Sequence, residues 1–187
     1  MNTSTTRYGT AEQALHWITA VLVLAAFIYG PGGSESQVYS QARDFDRRLH
    51  ETLGLCVLAL TVARLAWRAF DERPDPPQVP RWMGFAARAV QVLLYVLLFA
   101  VPLTAVTGAW LEGHPVTWLG GDVPPLFATS HITGAQFAKA HGWLGDSILW
   151  LAGLHALAAL YHHFLLRDGV LMSMLPGGKR RGTKLAG

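Results

Sequence analysis

Residues 141–163 read HGWLGDSILWLAGLHALAALYHH. Almost every residue is apolar, and the exceptions are spaced. Fourteen residues at about 100° each return His155 to within ~40° of His141, and seven more bring His162 to within ~20° of His155. The three histidines therefore share one stripe of a long helix. At 1.5 Å per residue, His141 and His155 stand about 21 Å apart along its axis. Two imidazoles that far apart cannot bind one metal; each can bind one of two stacked cofactors.

Composition places that helix in a membrane. Of the 187 residues, 51% are hydrophobic and 14% charged, against ~25% charged in a soluble domain. Seven Trp and five Tyr suit a chain that needs amphipathic rings at two interfaces. The net charge of +3 raises nucleic acid as a partner, but the basic residues flank apolar segments and are better explained by positive-inside anchoring. The single cysteine, Cys56, excludes an internal disulfide. The chain has no CxxCH motif, so any haem is held without a covalent link.

Outward from the opening stretch, the pattern predicts four membrane helices in one domain, residues 1–187, at about 14–30, 50–70, 86–111 and 141–166. The first ends at Gly30-Pro31-Gly32-Gly33. It reads as a retained helix rather than a signal peptide, since the region before it is weakly basic and no A-x-A-like site follows. Residues 31–49 form a polar loop or short helix. The linker RPDPPQVPR at 73–81 cannot be helical, and Pro102 predicts a kink in the third helix. A long loop, 112–140, carries His114, Trp118 and His131, both histidines being read as solvated. Residues 171–187 form a basic tail. Of fifteen Lys and Arg, only Arg43, Arg47, Arg48 and Lys139 lie on one side of this arrangement, which predicts both termini in the cytoplasm. The expected fold is an all-α integral membrane four-helix bundle, N-in and C-in.

Depth then pairs the histidines. His16 and His155 fall toward the inner side, and His50 and His141 toward the outer. Intramembrane histidines should face the bundle interior and have partners. Zinc or a di-metal centre would need more ligands converging at one level. Two imidazoles per level fit a planar macrocycle, giving two stacked haem b groups with His16, His50, His141 and His155 as iron ligands. Gly54, Gly145 and Gly153 leave room for a flat ring. His162 shares the stripe and is the alternative to His155. His163 reads as an interfacial or quinone-pocket residue.

These residues resemble the bacterial cytochrome b561 family, small di-haem b proteins of the cytoplasmic membrane. The match is carried by LHW at 15–17, LHETLG at 49–54, VARL at 62–65, AHGWLG at 140–145 and GLHALAALYHH at 153–163. The resemblance implies axial ligation by His16, His50, His141 and His155. Some members look like superoxide oxidases that pass electrons to ubiquinone. Others resemble the cytochrome b subunits of hydrogenases and formate dehydrogenases.

The expected activity is transmembrane electron transfer coupled to ubiquinone, an oxidoreductase with superoxide as outer donor. Quinone reduction consumes protons, so His162, His163, Arg64 and Arg68 are the candidate quinone or haem-propionate contacts on the inner side. The alternative is a haem-b subunit or anchor for a periplasmic or membrane redox partner, docking through the outer loop. A membrane protein without haem, such as a transporter or scaffold, is the remaining rival. The expected setting is membrane lipid of the bacterial inner membrane, with no nucleic acid.

Overall fold

The computed structural model describes residues 4–5, 7–70, 79–177 and 182–183. Most of the Pro-rich linker and of the basic tail lies outside the described residues. The elements in order are β1 (Ser4–Thr5), α1 (Thr10–Ile28), α2 (Glu35–Val38), α3 (Asp44–Trp67), α4 (Arg81–Leu111), β2 (Val116–Trp118), β3 (Gly121–Val123), α5 (His131–Tyr161), α6 (Val170–Met174) and β4 (Gly182–Thr183). Four helices are long and apolar enough to cross a membrane. The protein is an all-α integral membrane four-helix bundle, to which only short strand pairs, β1 with β4 and β2 with β3, are added.

Each long helix starts earlier than the apolar pattern. α1 begins at Thr10 rather than 14, α3 at Asp44 rather than 50, α4 at Arg81 rather than 86, and α5 at His131 rather than 141. Hydropathy reports the length in contact with lipid, whereas helical hydrogen bonding continues into polar turns. α4 has 31 residues, about 46 Å of helix against a hydrocarbon core of ~30 Å. Asp44 and Asp46 in the first turn of α3 suit the positive end of its dipole. The outer loop therefore shrinks to 112–130, and His131 opens a helix instead of lying in a loop.

α1 packs along α3 and α4 along α5, and α3 and α4 join the two pairs. Gly108 and Gly134 bring α4 and α5 together closely: a Cβ on Gly134 would lie 2.6 Å from Glu112 Cγ, and one on Gly108 would lie 3.2 Å from the Ala138 nitrogen. Small residues permit such approach where lipid supplies no hydrophobic drive between helices. Inward positions recur at alternating steps of four and three: Glu12, His16 and Thr19 on α1; His50, Gly54, Val57, Thr61, Arg64 and Arg68 on α3; His141, Gly145, Ile148 and His155 on α5. The hydroxyls among them are satisfied locally, Thr19 Oγ1 donating to Leu15 O at 2.6 Å and Thr61 Oγ1 to Val57 O at 2.7 Å, so they cost little in an apolar interior.

Packing between the helix pairs is sparse. Among the described residues the buried apolar side chains are Val57, Leu97, Val116 and Ile148. Large side chains such as Val21, Trp150 and Leu157 face outward, as a lipid solvent requires.

α5 ends in a π-helical turn, His162–Leu166, followed by left-handed backbone at Arg167 (φ 54°) and Gly169 (φ 79°). This turns the chain back under α1. Tyr8 N donates to Ser173 O, Gln13 Nε2 to Ser173 O at 3.0 Å, and Trp17 Nε1 to Met174 O at 2.8 Å.

Candidate cofactor site

The two pairs expected from depth stand face to face. His50 and His141 have ring centroids 5.8 Å apart with planes at 83°, and His16 and His155 have centroids 6.4 Å apart at 80°. Two imidazoles bound trans to one metal through ~2 Å bonds hold their centroids about 6 Å apart. That spacing would also suit a bare edge-to-face contact. The surroundings favour a bound group: a Cβ built on Gly54, Gly145 or Gly153 meets nothing within 4 Å. Together with the sparse packing between helix pairs, these residues fit a flat macrocycle at each level.

The outer pair is oriented by backbone. His50 Nδ1–H donates to Ala26 O at 2.7 Å. Ala26 lies in the last turn of α1, where carbonyls lack helical partners. Gly30 makes the approach feasible, since a Cβ there would lie 3.3 Å from the His50 ring. His141 Nδ1–H donates to Val101 O at 2.9 Å. The same carbonyl accepts from Thr104 Oγ1 at 2.9 Å. A carbonyl only accepts, so both Nδ1 atoms carry the proton and both Nε2 lone pairs are free for a metal.

The inner pair has no such bonds among the described residues, and charged neighbours take their place. Glu12, one turn before His16, is 1% exposed, and its Oε1 accepts from Arg64 Nε at 3.2 Å. The Arg64 and Arg68 guanidinium carbons lie 5.7 Å and 5.6 Å from the centre of the Tyr95 ring, and Arg68 donates to Tyr95 Oη at 3.2 Å. Glu12 Oε2 is buried and has no hydrogen-bond partner among the described residues.

The ring opposite His16 is that of His155. His162 opens the π-turn that follows α5, and its Nδ1 bonds Asp168 Oδ2. His163 lies against Phe164. Glu12 and Tyr95 were not singled out from sequence. The signal for Glu12 was present, a carboxylate four residues before His16 on one helical face. Tyr95 has no sequence-local cue, since its arginines come from another helix.

On the outer side every arginine is paired. Arg47 bonds Asp44 at 2.6 Å and Glu51 at 2.9 Å, Arg48 bonds Asp122 at 3.0 Å, and Arg43 lies 3.9 Å from Asp46. Glu51 Oε2 also accepts from Thr117 N at 2.7 Å, which fastens the β2–β3 hairpin over the outer end of α3.

Residues 7–177 match the family model described as prokaryotic cytochrome b561. The chain is 34% identical over 174 residues to cytochrome b561 homolog 2 of Escherichia coli K12, covering 90% of this chain and 91% of that protein. It is 30% identical over 174 residues to cytochrome b562 of Cereibacter sphaeroides, covering 90% and 94%. It is 27% identical over 183 residues to a probable superoxide oxidase CybB of Yersinia pestis, covering 94% and 98%. Four membrane helices, facing histidines at two levels and a match across nearly the whole chain lead to one conclusion: the protein belongs to the prokaryotic cytochrome b561 family of b-haem membrane electron-transfer proteins.

Proposed function

We propose that this chain carries electrons across the bacterial inner membrane between an outer one-electron donor, superoxide first, and ubiquinone. The observation that carries the reading is the facing of His50 with His141 and of His16 with His155. His50 and His141 would hold the outer haem and His16 and His155 the inner one. The haems, when bound, supply reversible one-electron transfer, so that two superoxide ions leaving as dioxygen, with two protons, reduce one ubiquinone to ubiquinol.

The protein's own part is positioning and protons. The Ala26 and Val101 carbonyls fix the outer imidazoles against rotation. At the inner end, Arg64, Arg68 and Tyr95 would present hydrogen-bond donors to a quinone carbonyl or a propionate, and the His162–Asp168 pair at the end of α5 would serve as a proton relay. The distribution of Lys and Arg supports cytoplasmic termini, which would put this end inside.

A second reading has its own support. Superoxide is an anion whose capture gains from local positive charge, yet Arg43, Arg47 and Arg48 are each neutralised by a carboxylate. An ordered hairpin and an outer rim whose arginines are all paired favour docking of a redox protein, with this chain as its haem-b subunit.

The test is a stopped-flow visible spectrum of oxidised, detergent-purified protein mixed with superoxide, with and without a short-chain ubiquinone. Rapid haem reduction, reversed by quinone, is the expected result. A haem spectrum that superoxide barely changes would transfer support to the protein-donor reading. Absence of a Soret band from well-incorporated protein would sink both.

A further inference from the structure

The outer loops bring together three metal-binding side chains that take no part in the histidine pairs. Glu35 comes from α2, Glu112 from the residue that caps α4, and His114 from the turn two residues on. One ligand atom from each lies within 4.8 Å of the other two, and His114 Nε2 is 2.8 Å from Glu35 Oε1. A tetrahedral ion with ~2 Å bonds places its ligand atoms about 3.3 Å apart, so a small closure of the loops completes the set.

Glu112 is the second and independent observation. It is 9% exposed, and among the described residues no side chain or backbone N–H donates to its carboxylate. It also sits at the C-terminal end of α4, where unpaired carbonyls already concentrate negative potential. Its stem is covered while its unpartnered carboxylate reaches the cluster, an arrangement that suits a cation. Its side chain cannot swing away over α5, because Gly134 lies directly against its Cγ. The imidazole is likewise held in place: the Tyr39 ring stacks on His114 with centroids 3.5 Å apart and planes at 16°, and His114 N donates to Ala109 O at 2.9 Å.

We propose that Glu35, Glu112 and His114 form a divalent-cation site, with water as a fourth ligand, that clasps α2 to the outer end of α4. An imidazole with two carboxylates suits Zn2+ over Mg2+ or Ca2+, which favour all-oxygen shells. None of the three residues belongs to the haem reading, so the two proposals stand or fall separately.

The experiment is calorimetric titration of Zn2+ into tag-free, haem-loaded, full-length protein in detergent after chelator treatment. One equivalent should bind. Glu112→Gln and His114→Gln should each weaken that binding at least ~10-fold while the haem spectrum stays unchanged. Glu35→Gln lies on an exposed helical turn and cannot be excused by misfolding; it should weaken binding as well. X-ray absorption of the bound zinc should show one imidazole in an oxygen-rich shell. No saturable binding, unchanged affinity in Glu35→Gln, or a shell of several imidazoles would overturn the site.

Discussion

The two histidine pairs are alike in spacing and opposite in support. The outer rings are each tied by Nδ1 to a main-chain carbonyl, on α1 for His50 and on α4 for His141. The inner rings have no comparable tie among the described residues, and sit instead beside a buried Glu12–Arg64 pair and the Arg68–Tyr95 contact. A backbone carbonyl fixes a ring in direction and tautomer. A charge sets the potential the ring feels and can change with protonation or a bound substrate. The outer level is thus built to hold one geometry, and the inner level to respond.

On the proposed assignment, removing one of the four histidines gives the largest effect. Alanine at His50 or His141 should abolish the outer haem and leave the inner, whereas alanine at His16 or His155 should do the reverse. Pyridine haemochrome analysis per protein, with low-temperature spectra to separate the two bands, checks this. Loss of the same band from both sets would break the pairing.

Next comes Glu12→Gln, which leaves the buried Arg64 charge uncompensated. Breaking such a pair costs about 3 kcal/mol and should lower the thermal midpoint. The extra positive charge should also raise the inner haem's midpoint potential by tens of millivolts, roughly 40 mV for each 1 kcal/mol in a one-electron couple. Redox titration should show the outer potential unmoved; an equal shift of both would erase the contrast drawn here.

Gly30→Ala probes the outer level more gently. The new methyl would press on the His50 ring and on Ala26 O, at a cost of about 1–2 kcal/mol. The outer haem's electron paramagnetic resonance g-values, which report imidazole orientation, should shift, and those of the inner haem should not.

The smallest effect is expected at the hairpin. Hydrogen bonds from Arg48 and Thr117 hold the exposed Asp122 carboxyl below the usual carboxylate range. A depressed value means that this contact contributes above the ordinary carboxylate pKa of ~3.9 and is lost as pH falls through the lowered one. Hydrogen exchange of the amides from Val116 to Val123, corrected for intrinsic rates, should stay slow at pH 5 and quicken below pH 3. Asp122→Asn should remove that pH dependence.

Much of this was legible in the chain itself. Four long apolar runs announce the helices, and histidines at a fixed angle on one of them announce two levels. The helix starts were not legible, because Thr10, Asp44, Arg81 and His131 lie in polar turns that hydropathy scores as loop. The β2–β3 hairpin was hidden for another reason. The hairpin is held there by residues far off in sequence, Glu51 accepting from Thr117 N and Arg48 donating to Gly120 O and Asp122. The π-turn after Tyr161 was hidden for a third reason, since five such residues have no local signature that separates them from ordinary helix. Glu12 was visible as a residue but not as a buried one, because its burial depends on Arg64 arriving from α3.

The strap at the end of the chain bears on biosynthesis. Ser173 and Met174 bond groups on Tyr8, Gln13 and Trp17, so a segment translated after all four long helices completes the inner end of the first. A ribosome delivers α1, with His16, long before α5 supplies His155. Until then the inner level stays open toward the side from which the chain emerges. A nascent chain arrested before α5 would display His16 without its counterpart.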